Sequence, residues 1–244
     1  MAFWEYALLF GSVLAGGALG WVRGIRQGHG LRLALSFSGA YILGITVLHL
    51  LPILFAGGNE RLGLWILLGF LVQLLLDQLS RGVEHGHMHA LKAGQSLSRA
   101  ALPIMIGLCV HAFLEGMPLS GYEMHSHHRH GAEWNHLLMG VILHKAPAAF
   151  ALSLLFHHAG MPNRWVWLNL ALFAAMSPLG AWLGEAFAFS APVVRALLGI
   201  VTGSFFHIAT TILFELEGNN QHQVNLARLA AILLGLAIAV FTVL

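Results

Sequence analysis

The sequence predicts an all-α integral membrane protein with eight transmembrane helices, and three observations predict it. Of the 244 residues, 58% are hydrophobic and 9% charged, against roughly 25% charged residues in an ordinary soluble domain. Eight apolar segments come close to the roughly 20 residues a helix needs to cross a hydrocarbon core of about 30 Å with its backbone polar groups paired internally. The connections between them are short, so the chain reads as a single transmembrane domain, 1–244, with no room for a separate soluble one.

The segments are Trp4–Val22, Leu31–Phe55, Leu62–Leu79, Leu102–Ser120, Leu137–His158, Arg164–Ala188, Val193–Phe214 and Val224–Leu244. In the first, Ala18-Leu19-Gly20 loosely resembles a signal cleavage site. Glu5 stands where a signal peptide is basic, however, and Trp4 suits a membrane interface, so the segment reads as a span. The second carries His49 ahead of Leu50-Leu51-Pro52, and the third has Gln73 and Asp77 on one face. The fourth reads His111-Ala112-Phe113-Leu114-Glu115, which sets His111 and Glu115 on one helical face, with Pro118 beyond them. The fifth contains His144-Lys145-Ala146-Pro147, the sixth Ser177-Pro178-Leu179-Gly180, and the seventh Gly203-Ser204-Phe205-Phe206-His207. Glu215, Glu217 and His222 lie at and beyond the end of the seventh.

Lys and Arg distribute unevenly over alternate connections. One side carries Arg23, Arg26, Arg32, Arg81, Lys92, Arg99, Arg164 and Arg228, the other Arg61, Arg129 and Arg195. The basic side is the cytoplasmic one, which puts both termini outside. Twelve basic against ten acidic residues leave +2, too small and too scattered for a nucleic-acid surface. Cys109 is the one cysteine, which excludes an internal disulfide and reads as packing.

The 16 histidines outnumber either class of charge, and imidazole ligates transition metals. Many fall in two connections. The cytoplasmic one, about 80–100, includes Glu84-His85-Gly86-His87-Met88-His89; the outer one, about 121–136, includes His125, His127, His128, His130, Glu133 and His136. Neither has the spacing of a structural zinc module.

Ionisable groups inside a bilayer face the bundle interior and have a function or a partner. His111, Glu115 and His144 form a nitrogen- and oxygen-rich set that suits Zn²⁺ better than Ca²⁺ or Mg²⁺. Pro118 and Pro147 free carbonyl groups near them. A competing reading makes the cluster a packing lock, with Lys145 and Glu115 as a buried ion pair. His49, Asp77, His207, Glu215, Glu217 and His222 are candidate pathway residues. Two further readings are a membrane haem protein with axial ligands from His49, His111, His144 and His207, and a metal sensor that does not transport. An intramembrane metallohydrolase is disfavoured by the lack of an H-E-x-x-H motif.

The His49-Leu50-Leu51-Pro52 segment, His111-Ala112-Phe113-Leu114-Glu115-Gly116, His144-Lys145-Ala146-Pro147 and the sixth- and seventh-span motifs together resemble the ZIP (Zrt-, Irt-like) divalent-metal transporters. The resemblance implies eight helices as two inverted three-helix repeats flanking helices four and five (3+2+3), outer termini, elevator-like alternating access and a homodimer. It implies His111, Glu115 and His144 as primary ligands and Zn²⁺ as the transported substrate, with Fe²⁺, Mn²⁺ and Cd²⁺ as other candidates; the expected location is a bacterial inner membrane. Ala112, Ala148 and Ser177 stand where family members with a two-metal centre carry polar ligands, and Lys145 occupies a second-site position. One metal per protomer is therefore expected, because the ammonium repels a second cation.

Overall fold

In the computed structural model, residues 1–21, 29–56, 58, 61–85, 97–120, 136–215 and 226–243 are described. Among them the fold is all helical: α1 (Phe3–Leu19), α2 (His29–Ile45), a π-helical turn (Thr46–Leu50) leading into α3 (Leu51–Phe55), α4 (Leu62–Ser80), a 3-10 turn (Val83–His85), α5 (Leu97–Gly116), α6 (His136–His158), α7 (Asn163–Ala186), α8 (Ala191–Glu215) and α9 (Leu226–Val243). With α2, the π-turn and α3 forming one rod, eight rods result.

Six of these rods are long and apolar enough to cross a membrane; α1, with 17 residues, and the apolar part of α5, Ala101–Gly116, are shorter. The expected eight full-length spans thus become six and two short ones. The physical limits are local. A turn at Gly20 and Trp21 follows α1, and Met117-Pro118 turns the chain at the end of α5, four residues before the expected boundary at Ser120. At the start of α1, Glu5 Oε2 accepts the N–H of Ala2 at 2.6 Å and serves the helix as an N-terminal cap.

Packing sorts the helices by depth. Of the most apolar stretch of α6, 72% is buried, against 17% for α4 and 11% for α9, so α6 is the inner helix and the other two are peripheral. Leu64, Leu67, Leu71 and Leu75 of α4 and Leu233, Leu234 and Phe241 of α9 are exposed, whereas Gln73, His111, Glu115, His144, Lys145 and Ser177 are buried. Apolar outside and polar inside is the pattern a lipid solvent demands.

The main contacts pair α4 with α8, α2 with α9, α1 with α6 and α5 with α7. Small residues let these pairs touch backbone to backbone, as α4–α8 and α5–α7 show. A Cβ at Gly69 would strike the carbonyl of Ile200, and one at Gly203 the carbonyl of Ile66. Gly116 and Gly180 stand in the same relation to Ser177 and Phe113 in the α5–α7 pair. In lipid, where hydrophobic burial gives no net drive between helices, such close approach supplies the dispersion contact that holds them. Pro147 does not break α6, which runs unbroken from His136 to His158.

Gly203→Val is expected to force α4 and α8 apart at a cost of about 1–3 kcal/mol. It should appear as a lowered thermal midpoint in detergent, with Gly11→Ala, whose Cβ meets nothing within 4 Å, as the unaffected control.

Candidate metal centre

Three buried side chains from three elements converge inside the bundle. Glu84, His111 and His144 each offer a ligand atom, and these atoms lie within 4.8 Å of one another. His111 and His144 come from α5 and α6, as their sequence positions suggest, with ring centroids 6.0 Å apart. Glu84 comes from the 3-10 turn, and sequence reasoning left it among the loop residues. What buries it is the chain reversal after α4. Arg81 and Gly82 both adopt positive φ, 56° and 71°, the left-handed conformation that ends a helix and suits glycine. Val83 and Glu84 are thereby turned inward and are each 1% exposed.

Glu84 is held by a chain of hydrogen bonds. Gln73 donates from Nε2 to Glu84 Oε2 at 3.0 Å, and Ser204 Oγ donates to Gln73 Oε1 at 2.9 Å. Ser204 Oγ also lies 3.3 Å from His111 Nδ1. With its one proton committed to Gln73, the hydroxyl accepts the Nδ1 proton, which leaves the imidazole lone pair on Nε2. That nitrogen faces Glu115 Oε2 at 3.2 Å. A lone pair facing a carboxylate oxygen is repulsive unless a cation or a proton lies between them, so this edge of the site attracts a positive charge. A cavity of about 10 Å³, lined in part by Gln73, His111, Glu115 and Ser204, opens beside it.

Glu115 is bound on its other side. Lys145 Nζ stands 2.7 Å from Glu115 Oε1, with both side chains 1% exposed, and 4.6 Å above the centroid of the Phe173 ring. Ser177 Oγ lies 2.6 Å from the carbonyl of Ala112 and 3.2 Å from Glu115 Oε1. Ala112 and Ser177, two of the positions at which the resemblance leads one to expect extra ligands, therefore gather at Glu115, where an ammonium is already seated. The ion pair of the packing-lock reading is present, beside the two imidazoles rather than instead of them.

The remaining candidates fall elsewhere. His207 Nε2 approaches Asp77 Oδ2 at 3.8 Å between α8 and α4, and its ring packs edge-on against Phe70. His49 meets His136 ring to ring at 4.5 Å. Glu215 closes α8; Glu217, His222 and the histidines of 86–96 and 121–135 lie outside the described residues. Cys109 packs partly buried against the core.

Residues 80–242 match the family described as ZIP Zinc transporter. The chain belongs to the ZIP family. The match begins at the end of α4 and runs through α9, so it covers Glu84, His111, Glu115, His144 and Lys145. Similar proteins include "Zinc transporter ZIP9-B" of Xenopus laevis, 32% identical over 123 residues, which is 50% of this chain and 38% of that one. "Zinc transporter ZIP9" of Micropogonias undulatus is 30% identical over 122 residues, again 50% of this chain and 38% of the relative. "Zinc transporter ZIP1" of Takifugu rubripes is 25% identical over 157 residues, 62% of this chain and 49% of the relative. The aligned part thus spans less than half the length of these relatives. As a ZIP-family chain with six long apolar helices among its described residues, this is an integral membrane protein.

A buried charge stripped of its partner costs about 3–5 kcal/mol. Lys145→Met alone is therefore expected to lower the detergent thermal midpoint sharply, whereas Lys145→Met/Glu115→Gln should recover most of the loss. Equal loss in both variants would show that the ion pair does not govern stability here.

Proposed function

We propose that this ZIP-family chain transports divalent transition-metal cations, zinc foremost, across a membrane through one central site per protomer. The observation that carries the reading is the convergence of Glu84, His111 and His144 within 4.8 Å in the interior of an apolar bundle. Two neutral imidazoles and one carboxylate suit a borderline cation better than Ca²⁺ or Mg²⁺. Glu115 stands at the edge of the site, its Oε2 facing His111 and its Oε1 held by Lys145. The ammonium occupies the place a second metal would need, and a single ion is the consequence. Fe²⁺, Mn²⁺ and Cd²⁺ share enough of this chemistry to compete.

Uptake runs inward from the outer histidines to the central site and leaves past Glu215, Glu217 and His222, with both termini outside. The placing of the termini follows the excess of Lys and Arg on the opposite face. The 3+2+3 inverted repeat, elevator motion and homodimer complete the proposal by resemblance. A haem reading fares worse, because the cavity beside His111, about 10 Å³, has no space for a porphyrin.

In proteoliposomes, His111→Ala, His144→Ala and Glu84→Gln are each expected to abolish zinc uptake while the purified proteins remain folded. Full uptake in Glu84→Gln would remove that carboxylate from the site. Because imidazoles must lose a proton to bind metal, uptake should fall as the outer solution is acidified. Cd²⁺-soaked crystals should show one ion at the central site; two fully occupied ions within that site would refute the role given to Lys145.

A further inference from the structure

We propose a second, outer metal-binding site in which the imidazoles of His49 and His136 together capture a borderline divalent cation. The two residues are 87 positions apart in sequence, yet their rings stand 4.5 Å apart at 69°, edge to face. Both residues are half-buried, so each ring is partly accessible.

The backbone arranges this meeting. Ile42 and Ile45 are fully buried core residues of α2, and in a regular helix position 49, seven and four residues further on, would join them. It does not. The Leu51 N–H bonds to the carbonyl of Thr46, five residues back, which adds one residue to the turn and shifts the register by about 100°. Leu50 takes the core place, with no exposure, and His49 swings out against the start of α6. A regular helix would have buried the imidazole among isoleucines, so the widened turn has a chemical result as well as a geometric one.

Two imidazoles select Zn²⁺, Cd²⁺ and similar ions over Mg²⁺ and Ca²⁺. With water completing the coordination, such a site holds its ion weakly enough to pass it on. His136 precedes His144 by eight residues on one helix, about 12 Å along its axis, so the outer site lies above the central one. Its role in supplying that site rests on the transport reading, but its existence does not.

Cys109 is the single native cysteine, so His49→Cys in a Cys109→Ser background carries one thiol, and a Cys–His pair still binds Cd²⁺. At ten times its dissociation constant, Cd²⁺ should slow alkylation of this thiol by a membrane-impermeant maleimide by about tenfold. The slowing should vanish when His136→Gln is added and persist when His111→Ala/His144→Ala are added. No slowing, slowing indifferent to His136, or slowing lost with the central pair would each overturn the outer site. Should the cysteine variant not fold, anomalous diffraction from wild-type crystals in Cd²⁺ decides by a peak, or its absence, between the two rings. In active liposomes, His49→Gln and His136→Gln should raise the KM for zinc about threefold or more with little change in maximal rate. If wild-type liposomes take up no metal, the transport reading fails while the alkylation result still decides the site.

Discussion

A buried ammonium and a buried carboxylate, 2.7 Å apart, set the electrostatics on which the interior depends. Neither charge is tolerable alone among apolar helices, because removing an ion from water costs several kcal/mol that only a close partner offsets. The pair joins α5 to α6, and Phe173 and Ser177 of α7 close around it. Two things follow. Glu115 has one oxygen committed to Lys145, so only the other faces His111. The carboxylate that lies within 4.8 Å of both imidazoles is instead Glu84, from the 3-10 turn.

Much of this centre was legible in the sequence because helical spacing makes it so. His111 and Glu115, four residues apart, had to share a face, and His144 and Lys145 adjoin each other on α6 and reach the same interior. Glu84 was not legible, since its burial depends on two successive left-handed residues and on Gln73, eleven positions upstream, meeting it by hydrogen bond. Its one visible signal was the glycine at position 82, directly after a long apolar segment. The His49–His136 contact was hidden for a related reason. Periodicity arguments assume an unbroken helical register, and the π-turn breaks it one residue before the proline that the sequence does display. The two short helices were overestimated because hydropathy continues past Leu19 and Gly116 while the backbone turns.

Glycine contacts and polar contacts divide the labour of assembly between them. Where α4 meets α8 and α5 meets α7, carbonyl groups of one helix lie against glycines of the other, and there is no room for rearrangement. Across the seam between these pairs, side-chain contacts such as Ser204 with His111 stand beside the close approach of Gly107 to the Leu76 carbonyl. The candidate metal centre lies along that seam, among the polar side chains that cross it.

The left-handed turn at Arg81 and Gly82 also bears on how the protein is made. An acid within a helix is charged against that helix when it partitions into the bilayer, at about 2.5–3.5 kcal/mol near its centre on insertion scales. Glu84 lies four residues beyond the end of α4, so the helix partitions without it. The carboxylate reaches the interior only when the chain folds back under the assembled helices and finds Gln73. Its burial is therefore a cost of folding rather than of insertion, and the bundle acquires an acidic group that no single helix had to carry into lipid.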